Sequence, residues 1–177
     1  LTVTPADNNA LSATLTWTNP SKFINGLSIT SIDKIVVERN GKIIHEESNP
    51  SAGAAMTYVD NNVPCFSFFD YTVYAVINGE MGNMKTVKKV QFGPTCEWKL
   101  ILQSSAFQGM KGASVSILDA AGIEFENKTT ATSTATTFDI DVPLGYVQFS
   151  WNPHAETQPA YTLNLVIKNT AGETVYN

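Results

Sequence analysis

The sequence predicts an all-β protein made of two consecutive antiparallel β-sandwich domains. Three observations predict it. Thr, Ser, Val, Asn and Gly are abundant, and long Glu/Lys/Leu/Ala stretches are missing, a composition that suits pleated strands. Apolar residues recur with period two in short runs between turn residues, and no segment has a convincing 3.6-residue period. The break "GPT" (Gly93–Thr95) divides the 177 residues into two parts of sandwich size, which fits two small domains better than one large barrel. The expected domains are residues 1–93 and 96–177.

In the first part, "ATLTWTN" places Leu15 and Trp17 on one face, and Asn19–Pro20 ends the run. "SIDKIVVERNGKIIHEE" reads as a hairpin. Its first strand passes through Ile35 and Val37, Asn40–Gly41 turns it, and Ile43 lies on the return. Asn-Gly between alternating runs is a strong hairpin signal because both residues tolerate φ > 0. "AMTYVDNNVP" is a strand running into a polar corner. Phe69, Tyr71, Val73 and Ala75 alternate with Asp70, Thr72, Tyr74 and Val76, and a Gly-rich loop follows from Asn78 to Asn83. "KTVKKVQF" is the last strand of the set. Its Lys85–Lys89 run suits the solvent face of an edge strand.

The second part restarts the alternation with Trp98, Leu100 and Leu102. After the loop "SSAFQGMKGA", "SVSILDAAGIEF" is strand, turn at Ala121–Gly122, and strand. The hydroxyl-rich "NKTTATSTATT" runs straight into "TFDIDV", so it is expected to be a hairpin tip between two exposed strands. Val147, Phe149 and Trp151 share a face, as do Tyr161, Leu163, Leu165 and Ile167.

Bulk charge narrows the partners. The formal net charge is −5 and no Lys/Arg cluster exists, whereas phosphate recognition wants a basic face, so nucleic acid is not expected. No window of about 18 apolar residues is present, so no membrane span is expected. The chain opens at Leu1 rather than Met, and we expect a piece of a longer precursor with further domains.

From Leu15 to Gly79 a specific pattern accumulates: "LTWTNP", "IDKIVVERNGKII", then Y-x-V-x-A-x-x-N-G from Tyr71. It resembles a fibronectin type III domain over residues 1–93. The resemblance implies a seven-strand sandwich with Trp17 as the core aromatic of the second strand. It also places Phe69 where the family has its corner tyrosine, so the hydroxyl latch is expected to be missing or replaced. From Cys96 the pieces "CEWKLIL", "SSAFQGMKGASVSILD" and "LVIKNTAGETVY" are similar to a Cys-initiated, jelly-roll-like sandwich module of bacterial surface and secreted proteins. The module's acidic loop positions are here Ser104, Ala106 and Gln108, and Met110 stands for its Trp. If relatives bind a cation there, this copy should not. The pairing resembles the C-terminal portion of secreted proteases and adhesins of the gingipain type from anaerobic Gram-negative bacteria, which implies an exported, surface-associated accessory region.

Several residues are candidates for chemistry. In a sandwich of the fibronectin type III kind, Cys65 lies before the sixth strand and Cys96 after the seventh, at the same end. A Cys65–Cys96 disulfide is therefore expected, closing a loop of roughly 30 residues for about 3–4 kcal/mol. Two free thiols are the alternative. A metal site is not expected, because His45 and His154 are the only histidines and no ligand spacing accompanies the cysteines. Trp151, His154 and Glu156 in "WNPHAETQPAY" form a candidate patch for a glycan or extracellular protein, since aromatic faces stack on such ligands. A packed Trp151 and a solvated His154 are the plainer reading. Phe107 and Met110 are either exposed anchors for a partner or residues that cap the sandwich. Asp139 and Asp141 share a strand face as a sugar-cleaving pair would, but they interleave with Phe138, Ile140 and Val142 and so face solvent. No nucleophile motif, phosphate loop or catalytic set appears. The expected role is non-catalytic, without a cofactor: adhesion or ligand binding outside the cell. The alternative is a stalk that positions an upstream protease or glycosidase.

Overall fold

A computed structural model of the chain describes residues 1–7, 10–105, 109–110, 112–153 and 162–177. These residues form strands and turns with no helix. The chain divides into two compact units: Leu1–Pro64 with Phe68–Phe92, and Cys65–Ser67 with Gly93–Asn177.

The first unit carries β1 (Thr2–Pro5), β2 (Ala13–Thr18), β3 (Lys34–Arg39), β4 (Lys42–Ser48), β5 (Ala55–Asp60), β6 (Ser67–Ile77), β7 (Glu80–Met81) and β8 (Lys85–Phe92). One sheet has the order β1-β2-β5, and the other β4-β3-β6-β7 with β8 also on β6. Period two decides which side chains meet. Along β2, Ala13, Leu15 and Trp17 are buried and the threonines between them exposed. Along β6, Phe69, Tyr71, Val73 and Ala75 are buried. The β3–β4 turn holds Asn40 at φ 48° and Gly41 at φ 73°, the double positive-φ geometry that a two-residue hairpin requires. Asn78 (φ 53°) and Gly79 (φ 77°) repeat it between β6 and β7, so the expected Gly-rich loop is a second tight hairpin. Lys85, Lys88 and Lys89 are exposed on β8 as the lysine run predicts. At Lys89 the backbone turns to φ 51° and its N–H bonds Asp70 Oδ1 at 2.8 Å.

Phe69 is fully buried, and its ring meets Phe92 edge-on at 5.6 Å. Two residues on, Tyr71 forms a hydroxyl latch of its own. Tyr71 Oη donates to Asp60 Oδ2 at 2.9 Å, the Asn62 N–H donates to Oδ1 at 3.0 Å, and Arg39 closes an ion pair on the same carboxylate. Burial first, then the bond to Asp60, push the Tyr71 phenol well above its ordinary value of 10. The unfolded chain therefore ionises this tyrosine before the folded chain does. Stability that Tyr71 supplies below about pH 10 is lost as pH rises through the folded value. Alkaline titration followed by circular dichroism should show stability falling above pH ~10. Tyr71→Phe should start less stable and fall less steeply, and an unchanged slope would remove Tyr71 as the cause.

The second unit carries β9 (Thr95–Ser104), β10 (Ser114–Leu118), β11 (Glu124–Lys128), β12 (Thr136–Pro143), β13 (Gln148–Asn152), β14 (Leu163–Lys168) and β15 (Thr174–Tyr176). Its sheets have the orders β11-β10-β13 and β12-β9-β14-β15. Leu100, Leu102, Ile140, Val142 and Ile167 from one sheet pack with Val115 and Ile117 from the other, and with Met110 and Ala113. The hydroxyl-rich segment is not a hairpin tip. β11 and β12 lie in different sheets, so residues 129–135 carry the chain across the core. The buried Thr130 explains how a polar stretch does this: its carbonyl accepts the Met110 N–H at 2.8 Å, and its hydroxyl meets Thr136 Oγ1 at 2.8 Å. Asp139 and Asp141 are exposed as expected, and Asp139 pairs with Lys99 at 2.5 Å.

Candidate functional site

The first unit contains a cleft of about 680 Å³. Its floor is built by inward residues of three strands: Trp17 on β2, Ile35 on β3, and Val73 and Ala75 on β6, with Ile29 beside them. One lip is a tight hairpin between β2 and β3. Lys22 bridges Ser28, the Phe23 N–H bonds Leu27 O at 2.9 Å, and Gly26 turns at φ 85°. This geometry lifts Phe23 and Ile24 to the cleft and leaves Ile24 94% exposed and Leu27 65% exposed. The opposite lip is the β6–β7 hairpin and the residues after it, with Met81, Gly82, Asn83 and Lys85 lining the cleft. Met81 and the neighbouring Met84 are also exposed. Apolar side chains held out by short, hydrogen-bonded turns cannot collapse inward, so this apolar surface stays open to solvent.

The floor has no free side-chain donor. Trp17 Nε1 donates to Asn19 Oδ1 at 2.9 Å, and Asn19 Nδ2 donates to Ser51 O at 2.9 Å. The floor backbone is tied up in ladders, Trp17 opposite Met56 and Ile35 opposite Ala75. The charged side chains that line the cleft are Lys22, Glu80 and Lys85. Such a lining can desolvate an apolar group and meet charge only at its edge.

The described residues singled out from sequence do not line this cleft. Met110 is not an exposed anchor. It is fully buried in the core of the second unit, fixed by its bond to Thr130 and filling the space between the sheets. Trp151 on β13, opposite Val115, is 42% exposed, so it is not the packed core residue of the plainer reading. Phe107, His154 and Glu156 lie outside the described residues, and so does Tyr161.

The expected Cys65–Cys96 disulfide is not formed, and both thiols are free. Cys65 lies beside the turn between β10 and β11, next to Asp119, Ala120 and Ala121. Cys96 stands exposed on β9, paired with Val142 of β12 in the sheet that does not contain β10 and β11. Burial, then the Asp119 carboxylate, push the Cys65 thiol up, which keeps it a weak nucleophile.

Among the described residues no group of three or more His, Cys, Asp or Glu stands together. No helix among them is long and apolar enough to cross a membrane. Comparison of the chain with family models, with curated proteins and with solved structures finds no match. The cleft itself had a signal in the sequence: "FINGL" puts an Asn-Gly turn between apolar residues on a segment otherwise too polar to bury them.

Proposed function

We propose that this chain is a non-catalytic binding region of an exported protein, and that the cleft of the first unit is its ligand site. The observation that carries the proposal is the cleft itself, apolar in its floor and held open by exposed apolar lips. Its volume falls in the range of about 300–1,000 Å³ common to ligand pockets. Rigid strands with contact residues on their end loops suit recognition. The strand order of the first unit supports the fibronectin type III resemblance, and the export inferred from the second module supports a role at a cell surface.

The neutral fluorophore N-phenyl-1-naphthylamine tests the site. We expect saturable fluorescence with the 177-residue chain. Ile24→Asp, at an exposed position with no packing to lose, should weaken it by about 10- to 100-fold, as removal of a buried isoleucine contact implies. Trp151→Ala should leave it unchanged. Absence of saturable binding would leave the stalk as the better account.

A further inference from the structure

We propose that the ligand of this cleft is an aliphatic monoanion: an unbranched alkyl chain seated on the floor, with its carboxylate against Lys22 and Lys85. The inference rests on the binding role proposed above and adds the class of ligand. Two independent features of the lining select that class.

The first is the lack of polar partners in the floor. Trp17, Ile29, Ile35, Val73 and Ala75 present hydrocarbon, the one indole N–H is taken by Asn19, and the strand backbone is paired. A glycan or an extended peptide would bury hydroxyls or amides there without replacement hydrogen bonds, at a cost of about 1–3 kcal/mol for each group. An alkyl chain has no such groups to desolvate. The flexible Met81 at the lip adapts to a chain that is itself flexible.

The second feature is the charge at the edge. The chain carries a net −5, yet the charged residues lining the cleft are two lysines against one glutamate. Among the described residues neither lysine has an ion-pair partner, so neither charge is neutralised in place. Lys22 comes from the β2–β3 hairpin and Lys85 from the start of β8, so the two lysines line the cleft from different elements. Glu80 repels an anion but attracts a cation, so the net preference at the edge is for one negative charge.

Competition against N-phenyl-1-naphthylamine with matched ten-carbon ligands, below their micelle concentrations, tests the proposal. Decanoate should displace the fluorophore about 3- to 10-fold more effectively than decanol, as two solvent-exposed charge contacts imply. Decylammonium should be weaker than both. Raising ionic strength to about 1 M, where the screening length is near 3 Å, should erase the difference and leave decanol binding intact. The Lys22→Gln/Lys85→Gln variant should bind decanol as the unsubstituted chain does and lose the preference for decanoate. Equal displacement by decanoate and decanol, or a preference that survives in that variant, overturns the class while the cleft stands. Tighter binding of N-acetyl-leucyl-leucine than of decanoate overturns the alkyl assignment in favour of a peptide terminus. If the fluorophore itself does not bind, the site falls and the class with it.

Discussion

Replacement of Asp60 by alanine is expected to destabilise the first unit by about 3–5 kcal/mol, the range found when one member of a buried ion pair is removed. Asp60 is 1% exposed at the end of β5. Its carboxylate receives Arg39, Tyr71 Oη and the Asn62 N–H together. Without it, a mostly buried guanidinium and a buried phenol lose their acceptor, and alanine offers nothing in return. The guanidinium keeps its place 5.7 Å over the Phe69 ring, which offsets only part of the loss. Urea denaturation gives the size of the effect, and hydrogen exchange at β5 and β6 amides locates it in this unit. Arg39→Met with Asp60→Leu and Tyr71→Phe should recover most of the stability, because the guanidinium and phenol hydroxyl go with the carboxylate and only the N–H of the exposed Asn62 loses its acceptor. A loss below about 1 kcal/mol in Asp60→Ala would mean that the cluster is screened by solvent like a surface ion pair.

Replacement of Gly109 by alanine should be the most damaging small change in the second unit. Gly109 has φ 69°, and a Cβ there would stand 2.5 Å from the Ala131 carbonyl carbon, 2.6 Å from the Thr132 nitrogen and closer still to the Thr130 oxygen. All three are backbone atoms of the segment that crosses between the sheets, so none can swing aside as a side-chain tip would. The left-handed conformation costs about 1–2 kcal/mol for a side chain, and the forced displacement about 1–3 more. Gly172→Ala separates the two contributions. Gly172 has φ 79° but open space where its Cβ would go, so it should show the backbone cost alone. Hydrogen exchange at β9 and β12 amides reports the difference. Equal losses in the two variants would show that the crossing segment yields to Gly109.

How much of this was legible in the sequence depends on the range of the interaction. Leu15 and Trp17, and Phe69 through Ala75, were readable as inward faces because side chains on a strand alternate whatever lies opposite. Asn40–Gly41 was readable as a turn because its conformation is set by two residues. The crossing segment at 129–135 was not. Its threonines state that the backbone has polar company, but not which sheet receives the next strand. The Tyr71 latch shows the same limit. Period two puts Phe69 and Tyr71 on one face, yet only the packed structure brings Asp60 and Arg39 to the second of them. For the candidate site, "FINGL" advertised an exposed apolar turn, whereas Trp17, Ile35, Val73 and Ala75 read simply as core. A floor is made when residues far apart in sequence leave space between them, and no local pattern records an unfilled volume.

By itself the sequence determined an all-β chain, its inward faces and the Asn40–Gly41 turn, because each follows from backbone preferences over a few residues. Tertiary structure decided that Met110 is core, that Cys65 lies beside the β10–β11 turn and Cys96 in the other sheet, that Asp60 gathers Arg39 and Tyr71, and that the lips at Ile24 and Met81 face one cleft. Those outcomes depend on distances between residues separated by tens of positions, and such distances are set by the joint packing of both sheets.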